Sequence, residues 1–167
     1  MKKLLTFGLV GALSASIFMG GGSASAQTAE EQMTEDYTIN WNSVWSNLAN
    51  FGDDVDFGTA ASTGSGIGSL AKGSTAVSLS GSTVSSTGKT TGRVLSTVTS
   101  ATTSLRDVAR AVTANGGKRM AVGTFTATSK ASLGNSTGKS PFSGVTVHTA
   151  TDSGKLYSSN TGNTKAY

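Results

Sequence analysis

Three Ser-x-x-Lys tetrads, SLAK from Ser69, STGK from Ser86 and STGK from Ser136, carry the spacing of Ser/Lys acyl enzymes, in which an amine takes the proton of an attacking hydroxyl. In so serine-rich a chain the tetrad recurs by chance, and the companion motifs of those enzymes are missing. GNSTGKS, Gly134 to Ser140, approaches a phosphate-binding loop but has three residues between its glycines where the loop needs four, so no nucleotide partner is expected. His148 is the only histidine, which leaves a Ser-His-Asp triad or a histidine metal cluster without its parts. Asp53, Asp54 and Asp56 supply oxygen ligands of the calcium type, yet the glycine and closing glutamate of an EF-hand loop are absent; they read as a solvated turn. The expectation is a non-enzymatic protein with no catalytic residues, no cofactor and no metal.

What could position such residues begins with export. Lys2 and Lys3 precede an apolar run from Leu4 to Met19, and Ala24-Ser25-Ala26 offers the small residues of a cleavage site. Residues 1–26 are therefore read as a signal peptide cleaved before Gln27. Gly8, Gly11, Ser14 and Ser16 interrupt the run, which is short against the ~20 apolar residues of a spanning helix. No later segment is apolar enough to span a bilayer, so no transmembrane span is expected after cleavage. The chain has no cysteine, hence neither a disulfide framework nor a lipid-attachment thiol. An extracellular or cell-surface location follows, with the periplasm as the other compartment.

Charge divides the mature chain. From Gln27 to Ala60 there are seven acids and no base; from Ala61 to Tyr167 there are eleven bases against Asp107 and Asp152. Parts of opposite sign can fold onto each other or onto the complementary part of a second copy. A basic surface also suits an anionic polysaccharide, whereas the aromatic interleaving of a single-strand nucleic-acid platform is sparse.

Both tryptophans lie in the acidic part, residues 27–58. Tyr37, Ile39 and Trp41 alternate as in a strand, while Trp41, Val44, Trp45, Leu48 and Phe51 follow helical spacing. A short strand running into a short amphipathic helix meets both patterns, with Asn42 or Ser43 as cap and Gly52 as stop. Tyr37, Ile39, Trp41, Val44, Trp45, Leu48 and Phe51 are the self-association candidates, by insertion beside a neighbour's sheet edge; the alternative is that they anchor the domain's own core.

Residues 59–92 read as a Gly/Ser/Thr-rich linker or weak strands, with Val77 and Leu79 the best alternation. In the basic region 93–167, Val94, Val98, Ala101, Leu105, Val108 and Val112 recur at 4-3-4-3-4 spacing. That spacing, with Ser104 and Asp107 as a capping box and Asn115-Gly116 as stop, predicts a helix over about 93–114, securest at 105–114. Threonines at 97, 99, 102 and 103 favour a strand for its first half. KRMAVGTFTATSKASL and SGVTVHTAT alternate as strands, and the tail from Asp152 reads as polar and frayed, pinned at most by Leu156 and Tyr157. The fold class expected is mainly β or α+β, one small domain with one amphipathic helix and flexible Gly/Ser/Thr-rich segments.

A small exported Thr/Gly-rich chain with an alternating amino-terminal extension resembles the chaperone-assembled pilins, and Gly154 with Tyr167 is similar to their closing strand. Tyr167 is terminal rather than penultimate, and SSNTGNTKA lacks alternating apolar residues, so no family is assigned. The function expected is that of a surface, matrix or filament component acting by self-association, as a homo-oligomer or with other cell-surface components. The second expectation is a periplasmic or extracellular binding module for an anionic glycan.

Overall fold

Threonine, serine and valine fill this chain, and β-branched side chains fit a pleated, half-buried surface. A computed structural model describes residues 38–59, 69–136 and 139–167. The segment read as a signal peptide and its expected cleavage site, Tyr37, residues 60–68 and the middle of the third Ser-x-x-Lys tetrad lie outside the described residues. Among those described, a short helix α1 (Trp41–Ser46) and a 3-10 turn (Leu48–Asn50) precede nine strands: β1 (Asp54–Thr59), β2 (Ser69–Ser80), β3 (Thr83–Gly92), β4 (Val98–Asp107), β5 (Val112–Asn115), β6 (Arg119–Val122), β7 (Thr126–Gly134), β8 (Pro141–Asp152) and β9 (Lys155–Ala166). They form two antiparallel sheets, the first ordered β1-β2-β3-β7 and the second β5-β4-β8-β9, with β6 also paired to β4. The sheets pack face to face, so the protein is mainly β with one small helix.

The helix expected over 93–114 does not form. Residues 98–107 and 112–115 are a β4–β5 hairpin, with Asp107 opposite Val112. Thr97, Thr99, Ala101, Thr103 and Leu105 are all fully buried on the inner side, so the threonines counted against a helix are themselves core residues. Val108 and Val112 are instead 48% and 42% exposed. A 4-3-4 apolar spacing overlaps a period of two at alternate members, and the threonines decide which period holds. Ser104 and Asp107 form no capping box either: Asp107 Oδ1 accepts from the backbone N–H of Ala109 and Arg110, closing the hairpin turn.

Of the two readings of 59–92, linker or weak strands, residues 69–92 take the second, as the long strands β2 and β3. One other expectation is corrected: the tail is no frayed end but a strand of twelve residues paired with β8 from Asp152↔Lys155 to Pro141↔Ala166. The stretch KRMAVGTFTATSKASL is broken at Gly123, whose φ of +66° turns the chain from β6 in one sheet to β7 in the other.

The interior has apolar ends and a polar middle. Val77, Val84, Leu105, Ala131 and Phe142 fill one end; Phe57, Leu70, Ala71 and Ala150 fill the other. Each fully buried Leu, Val or Phe stabilises the fold by about 1.5–3 kcal/mol. Between them buried hydroxyls bond to one another: Thr146 Oγ1 donates to Thr103 Oγ1 on the neighbouring strand of its own sheet (3.0 Å), and Thr75 Oγ1 donates across the sheets to Thr146 Oγ1 (2.7 Å). Pairing removes the cost of burying these hydroxyls unsatisfied, a cost that the buried Thr97 Oγ1 still carries. The sheets approach so closely that a Cβ on Gly88 would lie 2.3 Å from Thr146 Oγ1, and one on Gly73 2.6 Å from the His148 ring. A sequence poor in large apolar residues thus achieves its packing by close approach.

Candidate interaction surface

The outer face of the second sheet carries Val145 and Val147, both buried. What buries them is the amino-terminal segment. Asn40 caps α1, its Oδ1 accepting from Ser43 N at 3.2 Å, so the cap is neither Asn42 nor Ser43. Helical spacing then turns one side of the segment onto the sheet: Val44, Val145 and Val147 form a buried cluster, with Ile39, Trp41, Trp45, Leu48 and Phe51 packed around it. No strand forms at Thr38–Asn40. Six of the seven self-association candidates therefore sit in one cap over the sheet, and Tyr37 lies outside the described residues.

The seat of the cap is Gly162 on β9. A Cβ there would lie 2.5 Å from Leu48 Cδ1 and 3.3 Å from Phe51 Cβ, so the cap descends into a notch that any side chain would fill. Gly162 N–H donates to Gly52 O at 2.8 Å, tying the chain as it leaves the cap for β1. Trp41, Trp45, Leu48 and Phe51 are only half-buried. Beside them a shallow groove of about 460 Å³ is lined by Trp45, Ser46, Leu48, Ala49, Phe51, Gly162, Asn163 and Thr164, none of them ionisable.

The residues that first suggested chemistry are placed elsewhere. Ser86 is fully buried while Lys89 is exposed on the opposite face of β3, because positions three apart in a strand point to opposite sides. Ser69 accepts from Arg93, and Lys72 pairs with Asp54 at 3.2 Å, so neither forms a Ser/Lys couple. Asp56 meets Arg93 Nη2 at 2.7 Å. Two of the acids of the amino-terminal part thus pair with bases of the basic part across β1, β2 and β3.

His148 is fully buried in the polar middle. Thr90 Oγ1 donates to Ser100 O (2.7 Å), which leaves it accepting from His148 Nδ1–H (2.8 Å). Nε2 lies 2.7 Å from Thr161 Oγ1, which also bonds to Thr75 Oγ1. Burial pushes the pKa of the imidazole down to about 4, so the ring is neutral at ordinary pH. Thr161 is equally buried, so the pair serves the interior.

Asp107 was legible only as a helix signal and is the hub of the opposite end. Its carboxylate, also fully buried, accepts from Ser140 Oγ (2.6 Å) and Arg110 Nε (2.6 Å), and Arg110 reaches on to Ser136 and to Gly134 O. Burial alone would raise its pKa, but the hydrogen bonds from Ser140 and Arg110 outweigh it and hold the carboxyl at about 2. An Asp whose side chain can accept from the backbone two and three residues on is the turn signal that finds it.

No helix among the described residues is long and apolar enough to cross a membrane, and no group of His, Asp or Glu among them could hold a metal ion. No protein-family model matches the chain, and no curated protein matches it significantly.

Proposed function

We propose that the protein is an exported, non-enzymatic surface, matrix or filament component that works by self-association. The observation that carries this reading is the cap: an aromatic-rich segment held on the sheet by apolar contacts, its tryptophans left half-buried beside a groove free of charge. Half-exposed Trp and Phe are the residue types that dominate protein interfaces, and a neighbour that completes their burial gains what the single chain leaves unused. Chemical cross-linking of the exported protein in its native host tests the reading. A ladder of multimers of this chain is expected; a single monomer band from densely expressing cells overturns it.

A second reading, a binding module for an anionic glycan, is favoured by one observation. Lys72, Lys89 and Lys130 are exposed on the outer face of the first sheet, and the register sets Lys89 beside Thr128 and Lys130 beside Thr87. Beside the Lys72–Asp54 pair, the two cations Lys89 and Lys130 on a hydroxyl-rich face suit a sulfated or carboxylated polysaccharide, with binding that weakens as salt rises. Retention on a heparin column that Lys89→Gln with Lys130→Gln abolishes would support this reading; unchanged retention removes it.

A further inference from the structure

The cap is a packing unit in its own right. Three of its side-chain hydrogen bonds stay within it: Ser43 N to Asn40 Oδ1, Ser46 Oγ to Ser43 O, and Asn47 Nδ2 to Ser43 O. The apolar cluster with Val145 and Val147 and the hydrogen bond from Gly162 N–H to Gly52 O tie it to the sheet. Its connection to the body is equally simple. Phe51 is extended, Gly52 follows, and Asp53 is already fixed by Thr75 N–H donating to its carbonyl at 2.8 Å.

We infer that copies of this chain exchange caps, residues 38–51 of one copy covering Val145, Val147 and Gly162 of another. The inference rests on the self-association reading and names its partner, a second copy. The apolar face of the second sheet must be covered in every copy, since Val145 and Val147 are buried only beneath a cap. An exchanged cap makes the same contacts in trans as in cis, so cap–sheet energy cancels between the two forms. Two terms remain: the entropy of association, which concentration offsets, and the conformation of the connection. Gly52 is the residue there with the freest backbone, and a short connection of this kind is where exchange of an element between copies begins. A tryptophan rim left half-buried in cis adds contact area once a second body lies alongside. Reciprocal exchange closes a dimer, and one-way exchange propagates a chain of copies.

The absence of cysteine makes the test clean. A double variant, Leu48→Cys with Gly162→Cys, puts one thiol on the cap and one in its notch, where the leucine side chain and the glycine Cβ position are within contact distance. The variant is oxidised at low and at high protein concentration and run on a non-reducing denaturing gel, beside light scattering of the unoxidised protein. Exchange predicts disulfide-linked dimers or longer ladders at high concentration, giving way to intrachain bonds on dilution. Intrachain bonds alone in a protein that still forms oligomers overturn cap exchange and leave self-association through another surface. Monomers at every concentration overturn both. If circular dichroism shows that the double variant does not fold, Val44→Cys with Val147→Cys, both small-for-small changes in the same cluster, is read in the same way.

Discussion

Gly162 lies directly beneath Leu48: a Cβ on the glycine would sit 2.5 Å from the leucine Cδ1, although the two residues belong to opposite ends of the described chain. The sheet has been left without a side chain where the cap needs to descend. That pairing makes the cap a fitted part of the fold, and the same fit is available to the cap of another copy.

Gly162→Ala should therefore lift the cap and cost about 1–3 kcal/mol, the usual range for overpacking a close contact. Gly117→Ala, where a Cβ meets nothing within 4 Å, is the control and should melt with the unchanged protein. Tryptophan emission should shift to the red in the first variant alone, because both tryptophans are in the cap. Equal melting temperatures for the two variants would remove the notch from the account.

The β4–β5 hairpin predicts a sharp contrast between two residues three apart. Leu105→Ala should cost about 2–5 kcal/mol, since the side chain is fully buried. Val108→Asp should change stability by no more than about 0.5 kcal/mol, as expected of an exposed position at a turn. A helix with Leu105 and Val108 on one buried face would make both changes severe, so a pair of thermal melts separates the two.

That contrast also marks how far the sequence could be read. Alternation in SGVTVHTAT and in KRMAVGTFTATSKASL pointed to strands, and the aromatic segment carried helical spacing that matches α1. β4 was misread because two of its inward residues, Thr99 and Thr103, are polar, and their burial depends on surroundings such as Val145 O for the Thr103 hydroxyl, supplied by a strand some forty residues away. β9 was invisible for the same reason: its buried members are Thr161 and Gly162, and pairing with β8 rather than apolar character makes it a strand. The cap was legible in residue type, whereas its seat was not, because a glycine that makes room for a leucine looks like any other glycine in a chain with 22.

His148 predicts acid sensitivity. Its pKa falls from an ordinary 6.5 to about 4 on folding, so between those values the unfolded chain binds the proton that the folded one refuses. Stability should be full above about pH 6.5 and should fall by about 3 kcal/mol as pH drops to about 4. His148→Gln, whatever its own cost, should flatten this window in a urea titration repeated across pH. Asp107, held at about 2, adds a further loss only as pH falls below its ordinary 3.8. A slope between pH 6.5 and 4 that survives in His148→Gln would place the titrating group elsewhere.

Self-association through the cap is tested most directly by the mass of the chain from Gln27 onward, measured by light scattering over a concentration series at low and high salt, beside Trp41→Ala. Exposed charges are screened beyond ~8 Å at physiological salt, whereas apolar burial is not. The account predicts a mass that rises with concentration and persists as salt is raised. Trp41→Ala should lower it with a loss of about 2 kcal/mol or more in association, beyond what the melting temperature loses with Trp41's own packing around the Val44, Val145 and Val147 cluster. A monomeric mass at every concentration in low salt, or a Trp41→Ala variant that melts early yet associates unchanged, would contradict it.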